Sequence, residues 1–140
     1  MGNIMRKKIK INLLFIFLLL MMGCTMAGAE LGLIGTWEGD LEFSYNGYDY
    51  NDEITYIINS DDTGEYEVKT ERKKDGVVET AEADSDIKIL KADSINNTIT
   101  IDYEDFDEEE TYSYILSGNK LILYIELPDG EEEELELFRQ

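Results

Sequence analysis

Histidine is absent from all 140 residues, and with it the commonest general base and the commonest transition-metal ligand. The single cysteine, Cys24, has no partner for an internal disulfide, and one thiol cannot furnish a thiolate metal site. Only carboxylates remain as bases, and 32 Asp and Glu are too many for spacing to single out a catalytic pair. No catalytic residue, metal or cofactor is therefore expected. Positive charge is also scarce. Twelve Lys and Arg give a net charge of −20, and four of them (Arg6, Lys7, Lys8, Lys10) precede Cys24, whereas every acidic residue follows it. The part from Cys24 onward thus carries −24, which repels nucleic acid and offers no electrostatic attraction to anionic lipid. Such a surface keeps a small domain soluble and leaves a basic protein as an open class of partner.

What is present begins with an export segment. Residues 6–10 (RKKIK) supply positive charge, and residues 13–22 (LLFIFLLLMM) supply an apolar run without a polar face. That run is shorter than the ~20 residues needed to span a bilayer. The chain continues Met21-Met22-Gly23-Cys24, which resembles the bacterial lipoprotein signal, whose lipobox ends in a small residue followed by cysteine. Met21 stands where leucine is usual. The resemblance implies cleavage after Gly23, a diacylglycerol on the Cys24 thiol and, in many bacteria, a further acyl chain on its amine. Two or three chains, at about 0.8 kcal/mol per buried CH₂, make a stable anchor. Residues 1–23 are then a signal peptide, starting at Met1 or Met5, and residues 24–34 a lipidated tether. The domain would face an extracytoplasmic compartment from the cell membrane or the outer membrane.

From Gly35 the hydrophobic period is two. Trp37, Leu41, Phe43 and Tyr45 alternate with Glu38, Asp40, Glu42 and Ser44, as in a strand with one buried face. Asn46-Gly47 and Asp75-Gly76 favour the positive φ angles of tight hairpins. Further turn signals at residues 61–64, 96–97, 117–119 and 128–130 divide residues 35–140 into about nine short strands. Residues 79–86 (ETAEADSD) also admit a short helix. Hairpins that only go up and down predict one all-β, antiparallel up-and-down barrel rather than a sandwich, which needs long crossovers.

Gly35-Thr36-Trp37 at the start of the first strand resembles the Gly-x-Trp signature of lipocalins and bacterial lipocalin-like domains. The hairpin over residues 111–124, with Gly118-Asn119 at its turn and Lys120-Leu121-Ile122-Leu123 after it, is similar to the closing hairpin of that family. The resemblance implies that Trp37 plugs one barrel end and that Arg139 lies across it. It also implies a non-catalytic carrier of a small apolar or amphipathic ligand. The chain is shorter than full lipocalins and lacks their long C-terminal helix, so a smaller or flattened barrel is expected.

Phe43, Tyr56, Tyr66, Tyr112 and Tyr114 share strand faces with aliphatic residues, so they line a ligand pocket or simply fill the core. The alternative function is a filled barrel acting as an acidic interaction or inhibitor module. Residues 102–110 hold seven carboxylates in nine positions without the order or glycine of an EF-hand, and read as a solvated loop. Anchoring should rest on Cys24 alone: Cys24→Ala should abolish labelled-palmitate incorporation and membrane retention, and an unmodified Cys24 in the mature wild-type protein would refute the anchor.

Overall fold

The computed structural model describes residues 32–140, so the signal segment, Cys24 and the tether as far as residue 31 lie outside the described residues. Eight strands form one closed barrel: β1 (Gly35–Tyr45), β2 (Tyr48–Ile58), β3 (Thr63–Lys74), β4 (Val77–Asp93), β5 (Thr98–Tyr103), β6 (Glu108–Ser117), β7 (Lys120–Glu126) and β8 (Glu132–Arg139). Every pairing is antiparallel, each strand lies beside its sequence neighbour, and β8 returns to β1. The hairpins turn where the dipeptides demand it, with φ of 51° and 80° at Asn46 and Gly47 and of 52° and 79° at Asp75 and Gly76.

The count of about nine strands is corrected to eight, because residues 77–80 and 87–90 belong to one strand of 17 residues. Residues 79–86, the candidate helix, are extended within it. Their pairing with β3 overrides the helical preference of Ala and Glu. The sequence marked the two ends of this strand but hid its continuity for a physical reason: residues 77–84 are all exposed, so neither face needs an apolar period.

Alternation elsewhere sends one set of side chains inward. Ile99, Ile101 and Tyr103 from β5, Leu121 and Leu123 from β7, and Leu135 and Leu137 from β8 pack around Trp37, Ile54, Ile58 and Ile87. The interior of this region is occupied by their aliphatic and aromatic groups. Burial of each such side chain contributes ~1.5–3 kcal/mol, and this sum drives the closure.

Closure itself happens over a short seam. Trp37 pairs with Arg139 and Glu38 with Phe138, and the Gln140 N–H donates to the Thr36 carbonyl at 2.9 Å. Trp37 is fully buried and its indole N–H donates to the Leu33 carbonyl at 2.9 Å. The Arg139 guanidinium lies 4.3 Å from the centre of the Trp37 ring, a geometry worth ~0.5–2 kcal/mol, and donates to the carbonyls of Gly32 and Ile34. Gly35 makes this possible: its φ is +135°, and a Cβ there would stand 2.9 Å from Arg139 Nη1. Gly39 serves the same seam, since a Cβ at that position would lie 2.1 Å from the Glu136 carbonyl oxygen. Gly39→Ala should therefore push β8 away from β1 and lower stability by ~1–3 kcal/mol, read as a lower midpoint in urea unfolding.

Candidate functional site

The strands are not equal in length, and the difference creates a mouth. The β1–β2, β2–β3 and β3–β4 ladders continue to the hairpin turns at Asn46-Gly47 and Asp75-Gly76. By contrast, the β6–β7 ladder stops at Ser113 and Tyr124, so residues 108–112 of β6 pair only with β5. Where β6 leaves β7, a cleft of about 400 Å³ opens among Tyr66, Tyr103, Phe106 and Tyr112 and the acidic residues Glu110 and Glu126. Glu108, Glu132 and Tyr124 extend its rim.

The floor is a chain of phenols. The hydroxyls of Tyr56 and Tyr103 are 2.7 Å apart, and those of Tyr103 and Tyr112 are 2.8 Å apart. The Tyr66 ring packs 5.0 Å from Tyr56 and 5.1 Å from Tyr103, centre to centre. Tilted and edge-to-face contacts of this kind contribute about 0.5–1.5 kcal/mol each beyond burial. Burial pushes the phenols of Tyr56 and Tyr103 well above their ordinary range, and it raises Tyr66 and Tyr112 as well. All four are thus neutral hydrogen-bonding groups at physiological pH.

Phe106 reaches this cluster from the 3-10 turn Glu104–Phe106, with its ring centre 6.2 Å from both Tyr66 and Tyr103. Residues 102–110 are therefore not the free solvated loop that their charge suggests. The Asp105 carboxylate accepts from the Asp86 N–H at 2.9 Å, and the Asp105 N–H donates to the buried Ser85 hydroxyl at 3.0 Å. Asp107 then takes the left-handed conformation, φ 54°, that redirects the chain into β6. Among the described residues, no three acidic side chains converge as a metal site would require.

The rim is electrostatically crowded. Burial raises the Glu110 carboxyl above its usual range, and Glu108 and Glu126 add like-charge repulsion. Asp52 faces inward on β2, in register with Leu41 and Thr70; burial raises it, while a hydrogen bond with Thr70 opposes the shift.

Of the five aromatic candidates, Tyr56, Tyr66 and Tyr112 come together. Phe43 does not join them: it lies in the part of β1 beyond the seam and stacks on Tyr50 at 4.9 Å. Tyr114 is buried opposite Leu123, within the filled core. Sequence reasoning missed Tyr103 and Phe106. Tyr103 carries the same alternating signal as Ile99 and Ile101, but the acidic run around it drew the segment to a loop reading.

No protein-family model and no curated protein sequence matches this chain. Among solved structures, a de novo designed fluorescence-activating β-barrel is similar over 81% of this chain and 98% of its own, at 19% identity and a TM-score of 0.46.

The raised phenols set an alkaline limit. Above about pH 10 the unfolded chain releases tyrosine protons that the folded chain retains, so the folded state binds more protons and stability falls as pH rises. Below that pH the phenols are protonated in both states and contribute no slope. Titration followed at 295 nm should leave Tyr56, Tyr66, Tyr103 and Tyr112 un-ionised past pH 10, with their ionisation coinciding with unfolding by circular dichroism.

Proposed function

We propose that this chain is a lipid-anchored, non-catalytic lipocalin-like lipoprotein of the cell envelope, and that the cleft between β6 and β7 holds a small amphipathic molecule with a cationic end. The anchoring part of the reading rests on the signal and Cys24. Support for the lipocalin-like part comes from Trp37 buried beneath Arg139 at the seam, the contact that the Gly-x-Trp resemblance implies. The observation that carries the ligand reading is the cleft itself, an aromatic floor of Tyr66, Tyr103, Tyr112 and Phe106 below a rim of Glu108, Glu110, Glu126 and Glu132. Rings attract a cation through their negative faces, and the crowded carboxylates are relieved by one. Because aliphatic side chains occupy the core, the ligand sits at the mouth rather than along the barrel axis.

A short cationic amphiphile, octyltrimethylammonium, tests this, with octanoate as the anionic counterpart of equal chain length. Calorimetry should show saturable binding of the cation and none of octanoate, and Glu110→Gln combined with Glu126→Gln should weaken the cation about tenfold, or ~1.4 kcal/mol. Equal binding of the two probes, or no saturable binding, would remove the reading.

A further inference from the structure

The longest strand leaves half of one edge open. β4 pairs with β3 from Val77 to Lys88, but with β5 only from Ile87 onward. The 3-10 turn covers the edge at Ser85 and Asp86 through Asp105. Residues 77–84 therefore have no strand on their outer side among the described residues, and every one of them is exposed. In such a strand alternate residues direct both N–H and C=O outward, which is a template for another strand.

Folded proteins usually blunt an edge of this length with proline, an edge lysine or a bulge. Residues 77–84 contain no proline and no lysine, and the irregularity in β4 lies between Ile89 and Lys91, away from the open stretch. What the edge does carry is negative charge: Glu79, Glu82 and Asp84 on the strand and Asp75 at its turn. Arg72 neutralises Glu79 with an ion pair of 2.6 Å. Lys69 stands opposite Glu82 in register without an ion pair between them, and Asp84 stands opposite Glu67, a second carboxylate. A second copy of this chain would bring the same carboxylates against them, so self-pairing is opposed.

Beside the edge, on the outer face of β2, β3 and β4, is an open cleft of about 410 Å³ whose charged lining is Glu53, Glu71 and Glu82 against the single cation Lys69, with Asn51 and Thr80 beside them. Asn51 Oδ1 is buried there with no donor among the described residues. We infer that residues 77–84 of β4 accept an extended, basic segment of a protein partner as an added strand, with its Lys or Arg side chains on one face reaching Glu82 and the cleft of Glu53, Glu71 and Asn51. Main-chain hydrogen bonds supply the affinity, and alternate side chains supply the selection. This interface is separate from the cleft between β6 and β7 and stands without it.

A seven-residue peptide, acetyl-VKVKTKV-amide, is a suitable probe against the domain of residues 32–140 and against the full chain. Binding followed by fluorescence anisotropy should weaken about tenfold or more when alternate peptide nitrogens are methylated, because two or three hydrogen bonds are lost without a change of charge. Glu82→Lys with Asp84→Lys should weaken the unmethylated peptide by a similar factor while the melting temperature holds. Hydrogen exchange of the complex should slow in residues 77–84. Absent binding, binding indifferent to methylation, or protection located elsewhere in the barrel would overturn the inference.

Discussion

Everything in this domain depends on a seam only a few residues long. Seven of the eight strand pairings join neighbours in sequence and would form in an open meander; only the return of β8 to β1 makes a barrel. That return brings Arg139 over Trp37 and ties its guanidinium to the carbonyls of Gly32 and Ile34. The contact therefore fixes the chain on the N-terminal side of β1 as well as the C-terminal strand. Arginine suits this role because its flat fork stacks on an indole while donating at its edge, which a lysine ammonium cannot do. The two glycines of the seam are the complementary requirement, since any side chain at Gly35 or Gly39 meets Arg139 or the β8 backbone.

Once the seam is set, strand length decides where the surfaces fall. On the β1–β4 side the ladders run far past the closed region and expose both faces of β4, whereas β5 spans only six residues. The short side leaves the mouth between β6 and β7, and the long side leaves the open edge of β4. Both are lined with carboxylates, which place like charge where backbone or aromatic rings would otherwise be available to any apolar surface.

Much of this was legible in the sequence, and the reasons are local. Two-residue alternation placed Trp37, Ile54, Ile99, Leu123 and Leu137 on inward faces, and Asn-Gly and Asp-Gly placed the tight turns. Alternation is a record of one-sided burial, so it was silent for residues 77–84, which are buried on neither side. The candidate site was half legible for a related reason. Tyr56, Tyr66 and Tyr112 lie on three different strands, and only the register of β2, β3 and β6 in the closed barrel decides that they meet while Phe43 and Tyr114 stay apart. Phe106 was hidden because its position comes from two hydrogen bonds of Asp105 to β4, a non-local tie that composition masks with charge.

The row of phenol hydroxyls from Tyr112 through Tyr103 to Tyr56 has a property that follows from each oxygen being able to give or receive a proton. Along these two contacts the row has two arrangements, one with every O–H pointing inward and one with every O–H pointing outward, and a further interaction between Tyr56 and Tyr112 couples its ends. The outer end, at Tyr112, borders the cleft, and the inner end, at Tyr56, is buried in the core. A molecule in the cleft that accepts from Tyr112 selects the outward arrangement, and one that donates to Tyr112 selects the inward one. An end group placed against Tyr112 would thus bias, by rotation of light atoms alone, the orientation of the O–H dipole at Tyr56 in the core.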